Sequence, residues 1–205
     1  ALQMAFLLRI AMMLAVDPQS TAFMRSEAWR IAGEAMTSDS RWRWSSQWTP
    51  RERISVHLQR AVIASEDAGF VRHGGVDWQA IESAWKRNRH RAKQAQRPSS
   101  PARTVRVVGG STITQQLAKN LFLSKKRNFL RKGQEVLITF MLEGLLSKER
   151  ILTLYLNNVE WGEGVFGAEA AAHHYFRVDA DQLTPIQAAR LAVMLPAPKR
   201  FEKQP

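Results

Sequence analysis

The sequence predicts a mostly α-helical protein. Apolar residues recur at helical spacing in most segments, and no stretch alternates apolar and polar residues convincingly with a period of two. Two segments also begin with a capping box, in which Thr112 precedes Gln115 and Thr184 precedes Gln187. With 205 residues, of which 45% are hydrophobic, the chain is long enough for one domain with a hydrophobic core.

The chain is strongly basic. It has 30 Lys and Arg against 18 Asp and Glu, a net charge of +12, and such a chain is expected to meet nucleic acid, an anionic membrane surface or phosphorylated substrates. The absence of cysteine excludes disulfides and cysteine-ligated metal sites. The stretch 86–106 contains eight Lys or Arg and no acid, with prolines in its middle. It is predicted to be a mobile basic segment that either lies against anionic lipid head groups or is simply solvated.

The N-terminal part of the chain contains a short apolar segment. Residues 4–16 are apolar except for Arg9, but a membrane span needs roughly 20 such residues, so this segment cannot cross a bilayer by itself. It is the end of a longer anchor, an interfacial helix or an ordinary core helix. We therefore interpret residues 1–47 as a membrane-proximal segment and residues 48–205 as the main domain.

An acidic pair stands at the end of a predicted helix. Thr49 and Glu52 have the spacing of a capping box, and Gly69 is a plausible helix end. Glu66 and Asp67 then fall in the last turn, where the negative end of the helix dipole disfavours anionic side chains. The dipole makes Glu66 more basic, which suits a proton acceptor, although a solvated acidic pair is the plainer interpretation.

Two further blocks carry polar residues on helices. Two glycines precede a helix that begins near Thr112, and free backbone N–H groups at such a helix start suit anions. Ser111, Gln115 and Lys119 share one face of this helix, and the alternative is that this is merely its solvated side. In the next block Arg131 and Lys132 precede Glu135, and a helical apolar pattern follows at Val136, Leu137, Phe140, Met141 and Leu145.

These blocks, in this order, resemble the peptidoglycan glycosyltransferase domain, family 51 of the glycosyltransferases, and within it the monofunctional biosynthetic transglycosylases. The first motif, E-D-x-x-F-x-x-H-x-G, is met by Glu66, Asp67, Phe70, His73 and Gly75. The second, G-G-S-T-I-T-Q-Q-x-x-K-N, is met by residues 109–116 with Lys119 and Asn120. The third, R-K-x-x-E, is met by Arg131, Lys132 and Glu135. A fourth begins at Lys148 and runs through Tyr155 and a glycine-rich loop to Tyr175 and Phe176, and a fifth covers 188–198.

The chain departs from the family pattern at two positions. Gln134 stands where the family often has a lysine, and Thr153 where it often has a glutamate. The loss of a cation at position 134 would weaken the hold on a diphosphate, but Arg127, Arg131 and Lys132 remain. Neither departure changes Glu66 or Glu135, the glutamates of the first and third motifs.

The resemblance implies a lysozyme-like helical fold with a small membrane-associated lobe, and an enzyme that polymerises lipid II with inversion at the MurNAc anomeric carbon. It implies Glu66 as the general base and Glu135 as the second essential glutamate. The residues it assigns to substrate binding are Asp67, Phe70, His73, Ser111, Thr112, Gln115, Gln116, Lys119, Asn120, Arg127, Arg131 and Lys132. His73 is expected to hold its loop by hydrogen bonding rather than to transfer protons, and Tyr155 to belong to the core.

The same resemblance implies where the protein works and with what. Its substrates would be lipid II and the growing glycan strand, with undecaprenyl diphosphate released. We expect a single-pass anchor in the bacterial inner membrane, contact with the anionic membrane surface, and a catalytic domain facing the periplasm. Cell-wall synthesis or division proteins are candidate partners, and no cofactor is obligatory, although Mg²⁺ or Mn²⁺ can take part.

Two rival functions remain at this point. A lysozyme-type hydrolase would also use a glutamate in a helical fold, but it would release fragments rather than make polymer. A nucleic-acid-binding protein would explain the charge of +12, but its basic residues should lie on one recognition helix or face. Here the densest basic run surrounds prolines, so no nucleic-acid partner is expected.

Overall fold

The computed structural model describes residues 2–37, 43–95, 110–123 and 129–202. In chain order its elements are α1 (Leu2–Met12), α2 (Ala22–Thr37), β1 (Ser45–Ser46), a 3₁₀ turn (Arg51–Arg53), α3 (Val56–Glu66), α4 (Trp78–Ala95), α5 (Ile113–Phe122), α6 (Phe129–Leu145), α7 (Lys148–Asn158), β2 (Glu160–Gly162), β3 (Val165–Phe166), α8 (Ala168–Phe176), a 3₁₀ turn (Ala180–Gln182), α9 (Pro185–Met194) and α10 (Pro198–Phe201). The prediction of a mostly α-helical, lysozyme-like domain is confirmed.

The one sheet in the described part of the chain is small. Its strand order is β1-β3-β2, with β1 parallel to β3 and β2 antiparallel to it. Ser45 pairs with Val165 and Ser46 with Phe166, so a strand from the predicted N-terminal segment belongs to the sheet of the main domain. Ile10 of α1 likewise lies in the main core. The boundary at residue 47 stays a prediction.

Helices α5 and α6 lie at the centre of the core and run antiparallel. Ile113, Leu117 and Leu121 of α5 are fully buried against a core that includes Ile138 and Leu142 of α6. Thr114, at the start of α5, donates a hydrogen bond to Glu143 near the end of α6, which fixes their relative direction. These three positions recur every four residues, so they share the face of α5 opposite to solvent.

One predicted helix start needs correction, and one correctly predicted helix packs through residues that the pattern did not name. Helix α3 begins at Val56 rather than near Thr49, because the hydroxyl of Ser55 caps it and residues 51–53 form a separate 3₁₀ turn. Helix α6 buries Ile138 and Leu142, whereas Leu137, Phe140 and Leu145, the residues we named from the pattern, are exposed. Their spacing identified the helix but not the face that packs, because α6 is apolar on more than one side.

The basic segment 86–106 was predicted to be mobile, but its first half, residues 86–95, belongs to helix α4. Asp77 caps α4 through the N–H of Ala80, and this helix continues to Ala95. The remaining positions, 96–106, lie outside the described residues. Within the described ranges no helix is long and apolar enough to cross a membrane.

Candidate active site

Glu66 is the last residue of α3, and a neutral amide holds its carboxylate. The Nε2 of Gln116 on α5 donates to Oε2 of Glu66 at 2.7 Å, and the hydroxyl of Tyr155 on α7 donates to Oε1 of Gln116 at 3.1 Å. Tyr155 is fully buried, so this chain of hydrogen bonds is anchored in the core. Within the described residues, Oε1 of Glu66 accepts no hydrogen bond. The arrangement leaves one carboxylate oxygen available to a substrate.

The surroundings of Glu66 raise its pKa above the ordinary value. Burial is the main cause, and the neighbouring charge of Asp67 adds to it, while the hydrogen bond from Gln116 and the charge of Lys119 act in the opposite direction. The predicted increase in basicity is therefore confirmed, but desolvation rather than the helix dipole is its principal cause. Burial, with Glu66 and Asp67 nearby, also raises the pKa of Tyr155, so its hydroxyl stays a proton donor to Gln116.

Asp67 connects the first motif to the start of α5. Its Oδ1 lies 2.8 Å from Nε2 of His73, and its Oδ2 accepts a hydrogen bond from the backbone N–H of Ile113 at 3.0 Å. The N–H of Gly75 donates to Nδ1 of His73, so the proton of the neutral imidazole is on Nε2 and is donated to Asp67. This confirms that His73 holds its loop.

The start of α5 is fastened to the same loop. Thr112 and Gln115 form the predicted capping box, and the Thr112 hydroxyl also donates to the carbonyl of Gly75 at 2.6 Å. Gly75 has φ +92°, and a Cβ there would lie 2.7 Å from Thr139 and 2.8 Å from Glu143, so only glycine fits. Gln115 is thus occupied in capping rather than turned toward an open cleft.

Glu143 is a partly buried junction that sequence reasoning missed. It accepts hydrogen bonds from Thr114 at 2.6 Å and from Nζ of Lys148 at 2.8 Å. Lys148 also donates to the carbonyl of His73 and lies 4.7 Å from the ring centre of Phe70. Glu143 thereby joins α5, α6, α7 and the first motif. The only local signal for it was an acid in the mostly apolar second half of α6.

Glu135 lies in α6 among cations. It is 3% exposed, and it pairs with Nη1 of Arg131 at 3.1 Å and with Nζ of Lys132 at 2.5 Å. The two cations come from the preceding turn of the same helix, so they are held side by side. The Lys132 side chain is 48% exposed, so this charge remains accessible to a ligand.

The two glutamates stand at different levels along the α5–α6 pair. Glu135 precedes Glu143 by eight residues, about 12 Å of helix, which places it beside Phe122 at the end of α5. Gln116, the partner of Glu66, lies six residues or about 9 Å back along α5. Lys119 lies between these levels, and its charge acts on Glu66. Along α5, from its start to its end, the carboxylate of Glu66 is therefore expected near the first level and the cations around Glu135 near the second.

The other residues predicted to bind substrate differ in their exposure to solvent. Ser111 is exposed at the start of α5, whereas Asn120 and Phe70 are buried. Arg127 lies outside the described residues. The assignment of these residues to substrate binding stays a prediction.

The acidic groups around the candidate site do not fit a Mg²⁺ or Mn²⁺ ion well. Asp67, His73 and Asp77 place ligand atoms within 4.8 Å of one another, but both oxygens of Asp67 already accept hydrogen bonds, and Asp77 caps α4. Both oxygens of Glu135 face cations. Hard divalent ions need several available oxygen ligands, so no step below depends on a metal.

Comparisons with known proteins agree with the motifs. The model of the family described as Transglycosylase matches residues 33–205. A biosynthetic peptidoglycan transglycosylase of Cupriavidus pinatubonensis is 55% identical over 204 residues, which cover 100% of this chain and 75% of that protein. Proteins of the same name from Cupriavidus metallidurans and Ralstonia nicotianae are 54% and 53% identical, with 100% of this chain and 81% of each relative covered. The chain therefore belongs to the transglycosylase family and is a peptidoglycan glycosyltransferase.

Proposed function

We propose that this enzyme polymerises lipid II into β-1,4-linked glycan strands, with Glu66 as the general base. The observation that carries the proposal is the contrast within the site: a half-buried carboxylate of raised pKa on a neutral partner, next to a separate cluster of cations. Polymerisation with a diphosphate leaving group needs both features, because one group must accept a proton and the other must stabilise negative charge.

The reaction is a single displacement. Oε1 of Glu66 accepts the proton of the 4-hydroxyl of GlcNAc while that oxygen attacks C1 of MurNAc in the growing chain. The bond from C1 to the diphosphate oxygen breaks, its electron pair leaves with undecaprenyl diphosphate, and the α-linked donor becomes a β-1,4 link. A positioned base contributes roughly 10²- to 10⁴-fold to such a step.

The leaving diphosphate needs charge neutralisation more than a proton. Arg131 and Lys132 are held together by Glu135, and arginine can bind a diphosphate through two parallel hydrogen bonds. Lys119 and Arg127 would complete the cationic surroundings. In this proposal Glu135 is a positioning residue, since its oxygens face the cations rather than a substrate.

The first two motifs serve mainly to hold Glu66 in place. Asp67 and His73 fix the loop after α3, and Thr112 and Gln115 fix the start of α5, from which Gln116 reaches Glu66. These residues were predicted to bind substrate. We propose instead that they preorganise the base, because their polar atoms are engaged within the protein.

We also propose that the enzyme works at the inner-membrane surface, with its catalytic groups facing the periplasm. Large apolar side chains are exposed on three helices: Leu2, Met4 and Leu8 of α1, Trp78 and Trp85 of α4, and Leu130, Leu137 and Phe140 of α6. Helix α4 also carries Lys86 and Arg89 next to Trp85, an arrangement that suits an anionic lipid interface. A lipid-linked substrate would be reached there.

The test is the product formed from lipid II in detergent. We expect a glycan polymer that a muramidase digests, with one undecaprenyl diphosphate released for each disaccharide added. Release of sugar fragments from intact peptidoglycan, without polymer from lipid II, would instead identify a hydrolase. Failure to convert either substrate would refute the proposed reaction.

A further inference from the structure

Helix α1 contacts the two helices that carry the cations, close to where the cations lie. Gln3 and Gln134 exchange two hydrogen bonds of 3.0 Å, each amide donating to the other. One turn later Phe6 packs edge-to-face on Phe122, with ring centres 5.1 Å apart, and Arg9 lies over the same ring. Gln134 directly precedes Glu135 on α6, and Phe122 follows Lys119 by one turn on α5.

The reciprocal amide pair is a specific contact between two partly buried side chains. Each amide gives the other one donor and one acceptor, so both hydrogen bonds depend on the same geometry. Gln134 is also a position where the family often has a lysine. A lysine has no acceptor and could not form the reciprocal pair, so this chain has a contact with α1 in place of a cation.

We propose that Gln3 and Gln134 are positioning residues of the diphosphate site. Their amide pair, together with the Phe6–Phe122 contact, fixes the separation between Lys119 on α5 and the Arg131–Lys132 pair on α6. The inference rests on the proposed function, which assigns these cations to the lipid diphosphate. The carboxylate of Glu66 depends on Gln116 and Tyr155, and within the described residues it has no hydrogen bond or ion pair with α1. Loss of the amide pair should therefore weaken diphosphate binding and spare the chemical step.

The proposal is tested with Gln3→Leu, Gln134→Leu and the double variant in the full chain in detergent. Binding of inorganic diphosphate is measured by calorimetry, and KM and kcat are measured with lipid II. Each single variant should bind diphosphate about 3- to 10-fold more weakly and raise KM by a similar factor, with kcat within about twofold. The double variant should be no worse than either single one, because both remove the same contact. Gln19→Leu, the same substitution at an exposed glutamine outside α1, is the matched control and should change neither quantity.

A second variant separates spacing from general stability. The chain has no cysteine, so Gln3→Cys with Gln134→Cys introduces the only two thiols, which a short bis-methanethiosulfonate reagent can link with release of two methanesulfinate ions. Without the link, this variant should bind diphosphate as weakly as the leucine variants. With the link, affinity should return to within about twofold of wild type.

Three results would overturn the proposal. The leucine variants could bind diphosphate as wild type does, the link could fail to restore affinity, or affinity could fall only together with helicity by circular dichroism. Failure of the proposed function has a different signature, because wild type would then bind diphosphate but make no polymer, or would not bind diphosphate at all. The latter result would refute both.

Discussion

Glu66 and Glu135 are held by different partners, the first by a neutral amide and the second by two cations. The carboxylate of Glu66 is half-buried, receives one hydrogen bond from Gln116 and has a raised pKa. Glu135 is almost fully buried and pairs with Arg131 and Lys132. A carboxylate of raised pKa exchanges protons readily, whereas a carboxylate fixed between cations orders those cations. The same residue type is therefore suited to two different roles according to its neighbours.

The largest effect is expected for Glu66→Gln. An amide keeps the shape and can still accept the hydrogen bond from Gln116, but it cannot accept a proton from the substrate hydroxyl. We expect kcat for lipid II polymerisation to fall by about 10²- to 10⁴-fold, while diphosphate affinity stays within about twofold. A fall in kcat of less than tenfold would remove Glu66 from the role of base.

Glu135→Gln should affect binding and stability rather than the proton transfer. Arg131 and Lys132 would lose their common carboxylate and repel each other, so we expect kcat/KM to fall about 10- to 100-fold, mainly through KM, and the free energy of unfolding to drop by about 1–3 kcal/mol. Chemical denaturation and lipid II kinetics measure these changes. Glu82→Gln is the control, because its ion pair with Lys86 is exposed and should contribute less than about 1 kcal/mol. Equal effects of the two substitutions would contradict the assigned role of Glu135.

Gln116→Lys would make the surroundings of Glu66 resemble those of Glu135. In the wild type, kcat/KM should be lost as the pH falls through the raised pKa of Glu66, because the protonated acid is no base. A cation at 116 lowers that pKa, so the acidic limb of the pH profile should move about one unit or more to lower pH. The plateau rate should also fall, since the base is weaker. Gln116→Met, which adds no charge, should not move the limb to lower pH, and a limb moved to higher pH by the lysine would contradict this account.

Tyr155→Phe tests the outer end of the same hydrogen-bond chain. It removes only the hydroxyl that orients Gln116, so we expect kcat to fall about 3- to 10-fold with KM unchanged, and the stability to fall by about 1 kcal/mol. Stopped assays at several lipid II concentrations separate the two kinetic constants. A change confined to KM would mean that the hydroxyl serves substrate binding instead.

The smallest effect concerns thermal stability. A folded-state pKa above the unfolded one means that the native protein binds more protons, so the ionised Glu66 lowers stability as the pH rises through that range. Glu66→Gln should therefore melt a few degrees above wild type at pH 7.5 and at nearly the same temperature at pH 4. A variant that melts at a lower temperature than wild type at pH 7.5 would show that burial does not destabilise the ionised carboxylate.

Local sequence patterns predicted much of the helical framework. Thr112 and Gln115 form the expected capping box, as do Thr184 and Gln187, because the interactions that make such a cap lie within four residues. The predicted start of α3 was wrong because contacts between residues far apart in the sequence decide the structure around Thr49. The backbone N–H of Thr49 donates to Asn157, which is more than a hundred residues away, and the helix begins at the Ser55 cap.

For the site, the sequence by itself determined the family and predicted the two glutamates as site residues, since long motifs in a fixed order need no tertiary information. Only the tertiary structure decided their surroundings. The hydrogen bond from Gln116 to Glu66 spans 50 residues, the junction at Glu143 joins three helices, and Gln3 meets Gln134 across 131 residues. Burial and such distant contacts set the pKa of Glu66, and they arise only when the helices pack, so no local pattern can encode them.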